Sequence, residues 1–247
     1  MLRRDVAEGV HLVEDSYVNW CIVEDGSGGL TVVDAGTPAG WGRLQEALKQ
    51  LGRKLADIQA LVLTHAHYDH VGFAERLRRE LKIPVWLHER DVKLSKHPAF
   101  FGTEELPLKY FKNRPFIGVA ASVLRNRAFF ARPLGEVRTY DGEGPLDVPG
   151  KPHVLFTPGH TQGHCSLHLP DRDVVIAGDA FVTWDPYSGA IGPRLIAKAA
   201  TEDSARAKES LDKIARTGAS CVVVGHGEPW NGGAEEAARL ARERGAA

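Results

Sequence analysis

The run Thr64-His65-Ala66-His67-Tyr68-Asp69-His70 constrains this 247-residue chain more than any other stretch. It completes an apolar run, Ile58 to Thr64, that reads as a buried strand. Three imidazoles and a carboxylate within six residues make a metal-ligand composition. A short loop leaving a strand can turn such side chains to two sides, so His65 and His67 can reach one ion and Asp69 and His70 a second. Gly72 then permits a tight exit into the next helix. A lone histidine is usually a satisfied surface or core residue, but a cluster this dense at a strand end calls for a fold that brings more ligands to it.

Three further candidates share that context. His160 lies in Thr157-Pro158-Gly159-His160-Thr161, Asp179 in Ala177-Gly178-Asp179, and His226 in Gly225-His226-Gly227, each after a strand-like run. Ligands at the carboxyl ends of four strands are the layout expected for a site on an α/β scaffold. The remaining pattern supports such a scaffold. His11–Val13, Trp20–Val23 and Leu30–Val33 read as strands, with a hairpin signal at Gly26-Ser27-Gly28-Gly29. Trp41, Leu44, Leu48 and Leu51 recur at helical spacing before the stop Gly52, and Phe73, Leu77 and Leu81 mark a second helix before a strand at Ile83–Leu87. The second half repeats the order: strands at Val154–Thr157, Ser166–Leu169 and Val174–Ala177, a helix over Thr201–Thr217, a strand at Cys221–Val224 and a closing helix at Ala234–Arg244. Strands then helices, twice, suggest two sheets packed face to face with helices outside.

With 43% apolar and 26% charged residues the chain can build an ordinary core, and its net charge of −1 gives no global attraction to nucleic acid or anionic membrane. Cys21, Cys165 and Cys221 are odd in number and far apart, which points to small buried hydrophobes rather than a disulfide framework. The N-terminus lacks the apolar stretch of a signal peptide, and no run approaches the ~20 apolar residues of a membrane span. The expected location is the cytoplasm, with no stable membrane anchor. Residues 89–135 break the rhythm. They carry Pro98, Pro107, Pro115 and Pro133 and many aromatics, among them Phe100, Phe101, Phe116, Phe129 and Phe130. Between Leu106 and Gly135 there are six cations (Lys109, Lys112, Arg114, Arg125, Arg127, Arg132) and no acid. This reads as a helical insertion and not a core element. It is either a lid over the metals, apolar inside and cationic at the rim, or a cap that packs on the domain or forms a homodimer face. A basic aromatic strip also suits single-stranded nucleic acid, but the chain as a whole is not basic, which argues against that partner and for a small-molecule substrate.

His65, His67, Asp69, His70, His160, Asp179 and His226 together resemble, in order, the HxHxDH…His…Asp…His pattern of the metallo-β-lactamase-fold superfamily, over a stretch from about residue 8 to residue 230. The resemblance implies one domain over 1–247 and an α/β fold: a four-layer αββα sandwich of two mixed β-sheets flanked by helices, with the site at one edge of the paired sheets. It also implies that His65, His67 and His160 hold one metal, that Asp69, His70 and His226 hold another, and that Asp179 bridges them. Mixed nitrogen and oxygen ligands without thiolate suit Zn²⁺, with iron, manganese or cobalt as alternatives. Two divalent ions a few ångströms apart lower the pKa of a shared water toward 7. A metal-bridging hydroxide can then attack a carboxylic ester, lactone or thioester, with Asp69 shuttling the proton. The alternatives are a phosphodiesterase or ribonuclease using the same dinuclear site, and a non-hydrolytic metal-binding or redox protein.

Comparison within the superfamily narrows the expectation. Asp179 argues against a true β-lactamase, which lacks the bridging carboxylate. The di-iron oxygen reductases carry an acid where His67 stands. Glyoxalase II enzymes grip glutathione with a basic helical region, for which the helix ending at Arg244 is too short. Lactonases acting on acyl-homoserine lactones place a tyrosine three residues after the bridging acid, where this chain has Val182; Tyr187 takes that part only if its loop folds back. Of the neighbouring residues, His164 is expected to hydrogen-bond rather than bind metal, Asp34 to orient the ligand loop, and Tyr68 to pack behind it, while Phe181 and Trp184 suit either pocket or core.

Overall fold

Runs such as Val174-Val175-Ile176-Ala177 and Cys221-Val222-Val223-Val224 are apolar at consecutive positions, which a strand tolerates only when both of its faces are covered. In the computed structural model, which describes residues 1–246, both faces are covered. The elements run β1 (Leu2–Ala7), β2 (Val10–Asp15), β3 (Val18–Glu24), β4 (Leu30–Val33), α1 (Gly40–Leu51), β5 (Ile58–Val62), α2 (Ala74–Leu81), β6 (Val85–His88), α3 (Val92–Ser95), α4 (Arg114–Arg125), β7 (Arg138–Tyr140), β8 (Gly144–Pro145), β9 (His153–Phe156), β10 (Cys165–Leu169), β11 (Val174–Gly178), β12 (Val182–Trp184), β13 (Ile191–Arg194), α5 (Ser204–Ala215), β14 (Cys221–Val224) and α6 (Ala234–Arg244).

β1 to β7 form a seven-stranded sheet in sequence order, antiparallel from β1 to β4 and parallel from β4 to β7. The second sheet has the order β14-β11-β10-β9-β8, with β14 parallel to β11 and the other pairs antiparallel. β12 and β13 make a separate antiparallel ribbon. Alternation along each strand sorts side chains into three core layers. Val174, Ile176, Cys221 and Val223 face Leu12, Cys21, Val33 and Val62 between the sheets. On the far side of the second sheet, Val175, Ala177, Val222 and Val224 pack under Leu211 and Ile214 of α5 and Ala237 and Ala241 of α6. On the far side of the first, Trp20, Ile22, Val32 and Leu61 meet Leu44 and Leu48 of α1 and Leu77 of α2. The result is the expected αββα sandwich. All three cysteines are free and lie between the sheets.

The helices and most strands lie where their periodicity places them, and Gly52 caps α1 at a left-handed φ of 70°. The short strands β1, β7, β8, β12 and β13 are not legible in the sequence. β1, for instance, holds an edge through a Leu-Arg-Arg-Asp-Val-Ala segment with no buried residue. The segment 89–135 corrects an expectation. Its middle is helical and lies apart from the sheets, but Ala131 and Leu134 belong to the core under α1 and α2, so its C-terminal end is a core element. Among the described residues no helix is long and apolar enough to cross a membrane.

Leu167 is fully buried between the sheets and is not itself a candidate ligand. Leu167→Ala should lower the unfolding free energy by about 2–5 kcal/mol, read by urea denaturation, and leave metal stoichiometry unchanged.

Candidate metal centre

Six strands end at one edge of the sandwich, and each delivers a polar residue there. Asp34 follows β4, the His65–His70 loop follows β5, Asp91 follows β6, His160 follows β9, Asp179 follows β11 and His226 follows β14. The loop after β5 is pinned to the loop after β4 by backbone hydrogen bonds from Ala35 N–H to the His70 carbonyl (2.6 Å) and from Gly72 N–H to the Gly36 carbonyl (2.8 Å). A Cβ on Gly72 would come within 2.3 Å of that carbonyl oxygen, so the tight exit needs glycine. Gly225 has a similar function next to His226: a Cβ there would stand 2.0 Å from Asp179 Oδ1.

The structure brings all seven sequence-derived candidates together, and all seven are buried. Ligand atoms of His65, His67 and His160 lie within 4.8 Å of one another, as do those of Asp69, His70 and His226, and those of His65, His70 and Asp179. Asp179 is central: its Oδ2 is 3.2 Å from His226 Nε2, 3.4 Å from His160 Nε2 and 3.6 Å from His70 Nε2. Asp69 Oδ2 stands 3.9 Å from His226 Nε2.

A surrounding set of residues aims these groups. Asp34 adopts a left-handed φ of 61°, which a short polar side chain tolerates. Its carboxylate accepts the Thr64 N–H and hydroxyl (both 2.8 Å) and His70 Nδ1–H (2.9 Å). The Thr64 oxygen accepts His65 Nδ1–H at 3.0 Å. His226 Nδ1–H donates to the Tyr17 carbonyl at 2.6 Å, and the Tyr17 ring stacks on that imidazole. His164 donates from Nδ1 to the Thr157 carbonyl and accepts the Asp179 backbone N–H at Nε2 (3.0 Å). With Nδ1 engaged, the tautomer of His65, His70 and His226 leaves Nε2 as the acceptor facing the cluster.

Burial, reinforced by neighbouring imidazoles, depresses the pKa of His65 and His67 and pushes His160 down to about 3. They stay neutral, which is the metal-binding form. Burial also opposes charge on His70 and His226, but the carboxylates beside them, Asp179 with Asp34 at His70 and Asp179 with Asp69 at His226, together outweigh it and raise both. Burial raises Asp69. The donor set fits divalent ions on one observation in particular. Nε2 of His65 and His70, together with Asp179 Oδ1, are buried and have no hydrogen-bond partner, and His67 Nδ1 meets His160 Nε2 at 2.9 Å; unmet buried lone pairs are costly unless something accepts them.

His67, Asp69, His160, Asp179 and His226 form the floor of a cavity of about 500 Å³. Its walls come from the 89–135 segment (Phe101, Phe116, Val123, Phe129) and from Ile196 and Tyr187. The Phe101 ring lies 4.1 Å from the His67 ring. Tyr68 packs partly against the outer core and also lines the cavity, with Phe129 at 4.7 Å. Phe181 is wholly core, and Trp184 does not line the cavity. Tyr187 does reach it: Asp185 Oδ1 accepts the N–H groups of Tyr187 and Ser188 (2.8 Å each), folding the loop back. Two residues escaped the sequence reading, Tyr17 and Asp91. Asp91 Oδ2 accepts the Ala66 N–H (3.1 Å) and Thr161 hydroxyl (2.7 Å), and Oδ1 accepts the Gly163 N–H (2.7 Å). It therefore clamps the His65–His70 loop to the His160 loop. Burial pushes its pKa up to about 6 against the pull of those donors. No motif surrounds either residue, so no sequence signal marks them.

Comparison with known proteins shows the family and the fold. Residues 13–226 match the profile of the metallo-beta-lactamase superfamily. A probable metallo-hydrolase of Bacillus subtilis (strain 168), YflN, is 29% identical over 242 residues, covering 92% of this chain and 87% of its own. The crystal structure of a metallo-beta-lactamase family protein from Thermus thermophilus, TTHA1429, superposes with a TM-score of 0.67 at 28% identity, over 96% of this chain and 79% of that one. TTHA1623, solved in a di-iron-bound form, gives a TM-score of 0.58 at 25% identity, over 89% of this chain and 92% of that one.

Replacing Asp91 tests the clamp. Asp91→Ala should weaken metal binding about 10–100-fold in a chelator competition, with the far-UV circular dichroism unchanged; unaltered affinity would mean that the two loops hold their positions without it.

Proposed function

The chain belongs to the metallo-beta-lactamase superfamily, and from that premise we propose that it is a dinuclear metal-dependent hydrolase of carboxylic esters, lactones or thioesters. In this reading His65, His67 and His160 would hold one ion and Asp69, His70 and His226 the other, with Asp179 within reach of both groups. Such an ion pair would supply an acidified water and polarise the oxygen of the scissile bond. The ligand set suits Zn²⁺; the di-iron form of TTHA1623 makes iron the alternative to test by elemental analysis.

The protein's own groups do the rest. Asp69, at the cavity floor, takes and returns a proton as the leaving group departs. Tyr187 and Tyr17 line the same space. Burial, then the proximity of Asp69, hold both phenols well above their ordinary pKa, so they stay protonated and able to donate a hydrogen bond to a substrate oxygen. The phenylalanine and aliphatic walls exclude water and seat an apolar acyl group.

One observation carries the choice of a carbonyl substrate over a phosphodiester: among the described residues no lysine or arginine lines the cavity. The six cations between Leu106 and Gly135 all lie outside it, whereas a fixed phosphate charge would gain from a cation at the site. The segment therefore acts as an apolar lid over the metals.

A panel of esters, lactones, thioesters and phosphodiesters, each with and without chelator, tests this reading. We expect chelator-sensitive cleavage of a carbonyl substrate and abolition of that activity, with loss of bound metal, in Asp179→Ala; cleavage of phosphodiesters alone would replace it with the phosphodiesterase reading. Tyr187→Phe should lower kcat/KM about tenfold with metal content intact, the loss of one hydrogen bond to the reacting oxygen.

A further inference from the structure

The stretch Leu124-Arg125-Asn126-Arg127-Ala128-Phe129-Phe130-Ala131-Arg132 closes α4 and forms the turn after it. Its large side chains are of two kinds, both turned outward. Leu124, Phe129 and Phe130 are 69%, 51% and 74% exposed. Arg125, Arg127 and Arg132 are exposed as well, and none of their guanidinium groups has a hydrogen-bond or ion-pair partner among the described residues. On one side of the stretch Leu124, Phe129 and the 84% exposed Phe100 line the metal cavity, so its mouth opens here. On the other side a cleft of about 740 Å³ is lined by Arg76 and Glu80, which pair with each other, and by Arg125, Arg127, Phe130 and Arg132.

A dissolved anion would account for the arginines and leave the exposed phenylalanines without a use. A second copy of the chain would account for the phenylalanines. A two-fold interface, however, sets the same patch against itself. Three unpaired arginines would then face three more, with no acid between Leu106 and Gly135 to offset them. An anionic bilayer satisfies both kinds at once: the apolar side chains enter the boundary between headgroups and acyl chains, and the guanidinium groups pair with lipid phosphates. We infer that residues 124–132 are a docking surface for an anionic lipid bilayer, bound reversibly, with the mouth of the metal cavity turned toward the lipid. The docking does not depend on which bond the metal centre breaks.

The test is co-sedimentation of the full chain with phosphatidylcholine vesicles, with and without about one-third phosphatidylglycerol, at low and high salt. The expected result is binding to the anionic vesicles only, weakened by salt. Each of Arg125→Gln, Arg127→Gln and Arg132→Gln should reduce partitioning about fivefold, and Phe130→Ser about tenfold. Metal content, near-UV circular dichroism and hydrolysis of a dissolved substrate should stay at wild-type values in these variants, which separates failure of docking from failure of the enzyme or of the fold. Three results would overturn the inference: no binding by the folded wild type; binding to an oligonucleotide as tight as to vesicles and insensitive to Phe130→Ser, which makes the patch a polyanion site; or a concentration-dependent dimer lost in Phe130→Ser without vesicle binding, which makes it a self-association face.

Discussion

Five imidazoles and two carboxylates are taken out of water within a few ångströms of one another, and the edge of the sandwich is built to hold them there. Left to themselves such groups would rotate toward whatever partner they could find, because an unmet buried lone pair or charge is costly. The orientation comes from a layer behind them. Asp34, in a left-handed conformation, occupies both Thr64 and His70; Thr64 in turn fixes His65. His164 fixes Asp179, Tyr17 fixes His226, and Asp91 ties the loops of His65–His70 and His160 together. Each of these partners engages the atom that does not face the cluster, so the atoms that do are left free to accept a cation.

That arrangement requires the two sheets. The loops carrying His65–His70 and Asp34 leave the first sheet, and those carrying His160, Asp179 and His226 leave the second. The interlocked core of Leu12, Val33, Val62, Ile176 and Val223 sets the distance between them. A shift of an ångström in that core would be felt at every candidate ligand, since interiors packed like crystals transmit displacement rather than absorb it. The 89–135 segment is of another kind. It meets the floor of the site through rings such as Phe101 on His67 and Phe129 on Tyr68, and its outer side carries apolar and cationic side chains that the domain itself does not use.

Much of this was determined by the sequence alone. Consecutive apolar runs required strands covered on both faces, helical periodicity placed α1, α2, α5 and α6, and the dense His65–His70 cluster after β5 announced a metal-ligand composition that His160, Asp179 and His226 repeat at other strand ends. These features are local, because a side-chain period or a crowd of ligating groups can be read from neighbours in the chain. Only the tertiary structure decided that Asp91 clamps two loops, that Tyr17 and Tyr187 face the cavity while Phe181 does not, that Ala131 and Leu134 are core, and that the cations of the lid point away from the metal floor. Each of those facts depends on which distant segments meet, as when Thr161 comes to within 2.7 Å of Asp91 across 70 residues of chain. No periodicity or composition within either segment encodes that meeting; it is set by how the two sheets stack and where their strands end.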